Sequence, residues 1–95
     1  MSALWIANVE VTDEDTYMKY VAMATECITA HDGVFLARGG RYQQMEGRDR
    51  ARNVVARFPS FERAVECYNS DMYAKALKFA KVSAERDLVI VEEAQ

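Results

Sequence analysis

The feature that most constrains the fold of this chain is the order in which strand-like and helix-like hydrophobic patterns follow one another. Short runs rich in β-branched and aromatic residues predict strands at 4–11, 34–41, 52–58 and 87–92. Apolar residues at helical spacing predict a helix over 13–31, and a second one from Phe61 that is interrupted and recapped at 69–71. The order strand–helix–strand–strand–helix–strand is the split-βαβ, ferredoxin-like plan of an α+β protein. It implies a four-stranded antiparallel sheet, ordered 4-1-3-2, with both helices on one face.

Local signals place the ends of the helices. Thr12 with Asp15 three residues later resembles a capping box and predicts the start of the first helix. Gly33 is the predicted stop of that helix. Ser60, after Pro59, is a predicted N-cap for the second helix.

Length and charge limit the classes of partner. The chain of 95 residues predicts one domain over 1–95, and its net charge of −3 argues against a nucleic-acid partner. No apolar run approaches the roughly 20 residues of a membrane-spanning helix, and the N-terminus lacks the pattern of a signal peptide. We therefore expect a cytoplasmic protein without a membrane partner, in which Cys27 and Cys67 are reduced, packed thiols rather than a disulfide.

Alternation along the strands divides the sheet into two faces. One set of rows has no polar side chain and is assigned to the face under the helices: Trp5, Ala7, Val9, Val11, Phe35, Ala37, Gly39, Val54, Ala56, Phe58, Val89 and Val91. The other set is half aliphatic and half polar: Leu4, Ile6, Asn8, Glu10, Leu36, Arg38, Asn53, Val55, Arg57, Leu88, Ile90 and Glu92. An aliphatic half-face exposed to water favours a partner, and we expect a homodimer rather than a monomer with a tolerated apolar face.

This assignment makes a specific prediction about the sheet. If strands 1 and 3 are parallel neighbours aligned at their first residues, Glu10 lies beside Arg57 on the face away from the helices. Arg38 then shares that face, so the partner's acids, Glu92 above all, or a bound anion must balance the arginines.

Several segments resemble a known family. They are His31 to Gly40 (HDGVFLARGG), Phe58 to Phe61 (FPSF), the closing Asp87 to Glu92 (DLVIVE), and the opening Trp5-Ile6-Ala7 and Val11-Thr12-Asp13. Together with Ala64, Tyr68, Ser70 and Tyr73, they make the chain similar over nearly its whole length to the family called domain of unknown function 1330. The resemblance implies the dimeric α/β barrel, in which two ferredoxin-like subunits pack sheet to sheet. It implies no activity, since other families on this barrel include cofactor-independent monooxygenases, isomerases, haem-degrading enzymes and ligand sensors.

His31 and Arg38 are the candidate catalytic residues. His31, the single histidine, falls at the predicted end of the first helix, where it serves either the helix dipole or acid–base chemistry. Arg38 precedes Gly39 and Gly40, which allow close approach, so its guanidinium either clamps a ligand anion or forms an ion pair across the dimer.

The remaining candidates line a pocket. Gly39, Gly40, Tyr17, Ser70 and Tyr73 are the predicted ligand-binding residues. One histidine and two well-separated cysteines do not have the usual spacing of a metal site, and no phosphate loop or dinucleotide motif is present, so no metal and no cofactor are expected. The predicted function is binding, with or without metal-free transformation, of a small organic or anionic molecule; the alternative is a non-enzymatic sensing or assembly dimer.

Overall fold

The computed structural model describes residues 1–94 and has the predicted order of elements, with the second helix split in two. The elements are β1 (Ala3–Val11), α1 (Glu14–Ala30), β2 (Val34–Arg38), β3 (Arg52–Phe58), α2 (Phe61–Tyr68), α3 (Asp71–Ser83) and β4 (Ala84–Glu92). Ser60 caps α2 as predicted, and Ser70 caps α3 by accepting a hydrogen bond from the Tyr73 amide. The capping prediction for α1 is wrong by one residue, because Asp13 rather than Thr12 accepts from the Thr16 amide.

The sheet has the predicted strand order, β2-β3-β1-β4, and every neighbouring pair is antiparallel. The predicted parallel pairing of β1 with β3 is therefore wrong. Leu4, not Glu10, lies opposite Arg57. Arg57 pairs with Glu93 on the far side of β1, with 2.5 Å between Nε and Oε1, whereas Glu10 pairs with Arg48.

The predicted faces are correct for β1 and β3 and inverted for β4. Trp5 on the buried face lies opposite Ile90, and Ile6 on the open face lies opposite Val89. Leu88 and Ile90 therefore pack under the helices, while Val89 is 53% exposed. The sequence LVIV is aliphatic at every position, so its alternation carries no signal for the frame of the strand.

A β-bulge at Leu36 reverses the end of β2. Phe35 lies opposite Ala56, but Ala37 lies opposite Val55, so Leu36 has no partner in the register. The residues after the bulge change face, and Arg38 comes to lie opposite Val54, on the side of the helices. The prediction that Arg38 shares the open face with Arg57 is thus wrong, and so is the expectation that partner acids balance the two together.

The core lies between the sheet and the helices and is centred on Trp5. Its ring packs against Phe58 at 5.7 Å, Tyr68 at 5.8 Å and Tyr73 at 5.2 Å between centroids. The turn after α1 closes one end of this core. There Asp32, not Gly33, adopts a positive φ of 67°, while Gly33 leaves no room for a Cβ, which would lie 2.5 Å from Cγ2 of Ile28.

The segment between β2 and β3 is mostly exposed, but Arg50 and Arg52 at its end are partly or fully buried. Arg50 is 8% exposed and its Nη1 lies 2.9 Å from Oδ2 of Asp87. Arg52 opens β3 on the helix side. Within residues 1–94, no helix has the length and apolar character to cross a membrane.

Candidate functional site

A narrow cleft opens between α1 and the β2–β3 edge of the sheet. Its walls are aromatic and aliphatic, with two arginines among them: Trp5, Ala7, Tyr17, Tyr20, Val21, Ala24, Thr25, Ile28, Phe35, Arg38, Arg52 and Val54. The cavity volume open to water is about 30 Å³. That is well below the roughly 300 Å³ at which small-molecule pockets begin, so the cleft as it stands admits only a small group.

Arg38 and Arg52 bring positive charge to the cleft without a matching acid. The Arg38 guanidinium lies 4.3 Å from the centroid of the Phe35 ring, and that of Arg52 lies 5.8 Å from the centroid of Tyr17. Within residues 1–94, neither arginine has a carboxylate at salt-bridge distance. Nε of Arg52 is buried and has no hydrogen-bond partner among these residues. Both cations therefore remain available to a ligand anion.

Gly39 allows the close packing of Arg52. It has a positive φ of 72°, and a Cβ there would lie 3.0 Å from Nη1 of Arg52. Its amide donates to the backbone oxygen of Asn53 at 3.0 Å, which holds the end of β2 against β3. A Cβ at Gly40 would meet nothing within 4 Å, so no comparable constraint acts there.

Behind the cleft, two tyrosines and a third arginine form a buried hydrogen-bonded chain. Arg86 Nη2 donates to Oη of Tyr73 at 2.9 Å, and the hydroxyls of Tyr73 and Tyr20 are 2.8 Å apart. The Arg86 guanidinium also lies 4.6 Å from the centroid of the Tyr20 ring. Burial raises the pKa of both tyrosines, so their hydroxyls stay protonated at neutral pH.

The strand register brings two arginines to the same place in the sheet. Arg52 on β3 and Arg86 on β4 flank the same residue, Val9 of β1, on the helix-facing side. Nη1 of Arg86, like Nε of Arg52, is buried without a hydrogen-bond partner in the described part of the chain. Buried cations of this kind are costly unless an anion compensates them, and the net charge of the whole chain is −3. Among residues 1–94, neither Arg52 nor Arg86 forms a direct ion pair, although Glu10 and Glu14 line the same surface groove as Arg52.

A second cluster of polar side chains lies at the C-terminal end of α1. Cys27 Sγ is 3.7 Å from Cys67 Sγ, 3.8 Å from Nδ1 of His31 and 3.5 Å from Oγ of Ser70, and both cysteines are free. Nδ1 of His31 is also 2.8 Å from the backbone oxygen of Cys27, so that nitrogen carries the proton and donates it. Burial, followed by the proximity of Cys27, raises the pKa of the Cys67 thiol.

The site residues predicted from the sequence lie in two different places, the cleft beneath α1 and the cluster around Cys27. Tyr17 and Arg38 line the cleft, Gly39 packs beside it, and Tyr73 lies in the chain behind it. Gly40 does not line the cleft, and a Cβ at this position would meet no atom within 4 Å.

His31 and Ser70 lie instead with the cysteines and do not line the cleft. His31 and Arg38 therefore do not form one catalytic pair. The sequence spacing of His31, Cys27 and Cys67 is not that of a usual metal site, yet the three side chains meet in the structure, with their ligand atoms within 4.8 Å of one another.

Sequence reasoning missed Tyr20, Arg52 and Arg86 as site residues. Tyr20 lies three residues after Tyr17 on the same helix face, but this spacing does not indicate the hydrogen bond between the hydroxyls of Tyr20 and Tyr73. Arg52 and Arg86 each open a strand, and only the register shows that they flank one position.

The order of elements and the strand order β2-β3-β1-β4 place the protein among the ferredoxin-like α+β proteins. The family described as "Domain of unknown function (DUF1330)" matches residues 2–94, and the chain belongs to this family. No curated protein matches its sequence significantly.

Solved structures share the fold at low sequence identity. A protein of unknown function from Rhodopseudomonas palustris, RPA0582, is 14% identical with a TM-score of 0.82, over 99% of this chain and 83% of that one. SnoaB from Streptomyces nogalater, described as a cofactor-independent oxygenase, is 10% identical with a TM-score of 0.67, over 99% and 94%. A dimeric ferredoxin-like protein of unknown function from Thermobifida fusca is 17% identical with a TM-score of 0.65, over 98% and 92%.

Proposed function

We propose that this protein binds a small organic anion with a planar or apolar body in the cleft beneath α1. The observation that carries the proposal is the pair of arginines, Arg38 and Arg52, at an aromatic cleft where neither has an acidic partner. Guanidinium groups bind carboxylates and phosphates through paired hydrogen bonds, and aromatic walls accept the apolar part of such a ligand. An aromatic carboxylate satisfies both.

The dimensions of the cleft define how such a ligand sits. A volume of about 30 Å³ does not enclose an aromatic ring, so the carboxylate lies at the arginines and the ring enters only as α1 moves away from β2. Partly exposed Val21 and Thr25 of α1 line the cleft, and they are the side chains that such a movement displaces.

Binding, rather than one particular reaction, is what the chemistry of the cleft supports. Tyr20 is protonated at neutral pH and acts as a hydrogen-bond donor, not as a base. His31 lies outside the cleft. SnoaB, which has the same fold, is described as a cofactor-independent oxygenase, so the fold is compatible with catalysis without a cofactor.

The single tryptophan gives a direct assay. Trp5 lines the cleft, so titration with benzoate or 1-naphthoate should change its fluorescence. Arg38→Gln and Arg52→Gln should each weaken binding about tenfold or more, since a charge-assisted hydrogen bond contributes about 1.5–3 kcal/mol. Arg41→Gln removes an equal charge from the exposed segment after β2 and is the matched control. Equal affinities in all three variants, or no saturable signal with any carboxylate, would refute the proposal.

We further propose that the protein is a homodimer joined through the open face of the sheet. Val34, Val89 and Val91 on this face are 61%, 53% and 45% exposed, and Leu4, Ile6 and Val55 extend the apolar surface across the central strands. The protein from Thermobifida fusca that has the same fold is described as dimeric. A second copy of this chain presents the same apolar surface, and an isologous pair buries both.

The dimer has its own test. Light scattering at micromolar concentration should give about twice the chain mass of 10.8 kDa. Val89→Lys should shift the protein to monomer, whereas Val82→Lys, a 73% exposed valine on α3 outside the sheet, should not. A monomeric wild-type protein, or equal masses for the two variants, would exclude this interface.

A further inference from the structure

The cluster at the C-terminal end of α1 is built from side chains that bind thiophilic metal ions. Cys27 and His31 lie one helical turn apart, and Cys67 approaches from α2. Cys27 Sγ is 3.7 Å from Cys67 Sγ and 3.8 Å from Nδ1 of His31. Ligand atoms bonded to one tetrahedral ion at 2.0–2.3 Å are themselves about 3.3–3.8 Å apart. Two edges of the cluster therefore already have the length that a shared ion requires.

The third edge of the cluster, from His31 to Cys67, must shorten for one ion to bind all three ligands. All three ligand atoms lie within 4.8 Å of one another, so the edge from His31 to Cys67 is the widest. Cys27 and Cys67 are fully buried, whereas His31 is partly exposed at the helix end, so less protein surrounds its ring than surrounds either thiol. Rotation exchanges its hydrogen bond to the Cys27 oxygen for a bond to the ion.

Ser70 supplies the fourth direction. Its hydroxyl lies 3.5 Å from Cys27 Sγ, again a separation typical of two ligands of one ion. Ser70 Oγ also donates to the backbone oxygen of Cys67 at 2.7 Å, which fixes the hydroxyl beside both sulfurs. It can complete a tetrahedral site directly or hold a water that does so.

We propose that Cys27, Cys67 and His31 form a binding site for a tetrahedral, thiophilic divalent cation of the zinc class. Two thiolates and an imidazole are the donor set such ions prefer over carboxylates and carbonyls. Binding replaces two thiol protons by one divalent ion, so the buried cluster is neutral before and after. None of the three residues lines the cleft beneath α1, and the site is independent of the anion-binding proposal.

Simple packing and disulfide formation are the competing explanations of the short sulfur–sulfur distance. Two thiols in van der Waals contact have a similar separation. A disulfide needs about 2.05 Å, so the sulfurs, now 3.7 Å apart, would have to approach by about 1.6 Å while an oxidant took two electrons and two protons. The histidine one turn from Cys27 contributes to metal binding and to neither alternative, which makes it the diagnostic residue.

The experiment uses the full chain, reduced with a phosphine and freed of metal with a chelator. Addition of Co²⁺ should give the visible bands of tetrahedral cobalt and a near-ultraviolet thiolate charge-transfer band, saturating at one ion per chain. Zn²⁺ should displace the cobalt. His31→Gln should weaken binding by at least about tenfold, at or above the loss caused by removing an outer-shell partner. Cys27→Ala with Cys67→Ala should abolish the charge-transfer band.

Controls keep each result interpretable. Asp32→Asn removes the exposed carboxylate next to His31 and should leave the spectrum and affinity unchanged. His31→Gln changes a partly exposed side chain, so it tests the site even if the double cysteine variant fails to fold. The proposal is overturned if reduced wild-type protein binds no cobalt at micromolar concentration, if the spectrum is octahedral, or if His31→Gln binds as tightly as wild type.

Discussion

The two ends of α1 hold the two polar clusters of this protein, and the clusters differ in how their polar groups are satisfied. Near the start of the helix, Tyr17 and Tyr20 lie over Arg52 and Arg86, whose buried nitrogens include some without a partner. At its end, Cys27 is surrounded by weak donors and acceptors, and the cluster carries no net charge in its thiol form. At the start of α1, buried arginine nitrogens lack partners. At its end, the polar side chains have partners, and they are the side chains proposed to bind a cation.

This contrast indicates what each end contributes to the protein. Unpaired guanidinium groups lower stability, and a fold retains them where an anion arrives from outside. Neutral thiols behave as small apolar groups and pack at little cost. We therefore expect substitutions near the cysteines, at the end of α1, to change mainly stability. Substitutions near the arginines, at its start, should change mainly ligand binding.

The largest expected effect compares two phenylalanines. Phe58 is fully buried against Trp5 and beside Gly33, whereas Phe35 is half-buried and supports the Arg38 guanidinium. Phe58→Ala should lower the free energy of unfolding by about 3–5 kcal/mol, as expected for loss of a buried aromatic ring. Phe35→Ala should lower it by less than about 2 kcal/mol yet weaken carboxylate binding more. Urea denaturation measures the free energy of unfolding, and the Trp5 titration measures carboxylate binding. Equal losses of stability in the two variants would contradict the expected difference between Phe58 and Phe35.

The next effect concerns two neighbouring tyrosines. Tyr73→Phe removes the hydroxyl that accepts from Arg86 and meets Tyr20, leaving buried groups unpaired at a cost of about 1–3 kcal/mol. Tyr68 has its ring 5.0 Å from that of Tyr73 but is an exposed residue. Tyr68→Phe should change stability by less than about 0.5 kcal/mol. Thermal and urea unfolding of the two variants measure these changes. An unchanged stability in Tyr73→Phe would show that the hydrogen-bonded hydroxyls do not contribute to the free energy of unfolding.

Groups at the two ends of α1 should reduce the stability of the protein at different alkaline pH values. Burial raises the pKa of Cys67 and of Tyr20, so in each case the folded protein keeps a proton that the unfolded chain releases. The free energy of unfolding is therefore highest below the pKa that each group has in the unfolded chain, and it falls at higher pH. The fall begins at about pH 8.5 for the thiol and about pH 10 for the phenol.

For each of these groups, the free energy of unfolding falls by at most about 1.4 kcal/mol per pH unit. Cys67→Ala should remove the decline that begins near pH 8.5, whereas Tyr20→Phe should only reduce the later one, because the pKa values of Tyr17 and Tyr73 are also raised by burial. The measurement is the free energy of unfolding in urea at several pH values. An unchanged profile in Cys67→Ala would show that the thiol ionises as easily in the folded protein as in the unfolded chain.

The fold was predictable because alternating patterns identify elements even where they do not identify faces. β1 mixes polar Asn8 and Glu10 with apolar residues, so its frame was predicted correctly. β4 is aliphatic at every position from Leu88 to Val91, and its frame was inverted. Strand order followed from topology, and so did the antiparallel pairing of β1 with β3. The prediction of parallel strands conflicted with the antiparallel sheet that the same topology implies.

The candidate site was predictable only in part, since its geometry depends on long-range pairing. The bulge at Leu36 turns Arg38 toward the helices, and no residue type in VFLAR announces it. Cys27 and Cys67 meet because α1 and α2 pack side by side, although forty positions separate them in sequence. Local spacing rules do not detect ligands that come from two helices.

The smallest expected effect compares the adjacent glycines after β2 and tests whether the backbone positions Arg52. Gly39 has a φ of 72°, and a Cβ there would press on Nη1 of Arg52 at 3.0 Å, whereas a Cβ at Gly40 meets nothing. Gly39→Ala should cost about 1 kcal/mol from the left-handed conformation, and Gly40→Ala should be neutral within about 0.5 kcal/mol. Gly39→Ala should also weaken carboxylate binding, because the guanidinium must shift, while metal binding at the other end of α1 stays unchanged. If Gly39→Ala and Gly40→Ala bind 1-naphthoate equally well, the position of Arg52 does not depend on this turn, and the cleft is held by its aromatic walls alone.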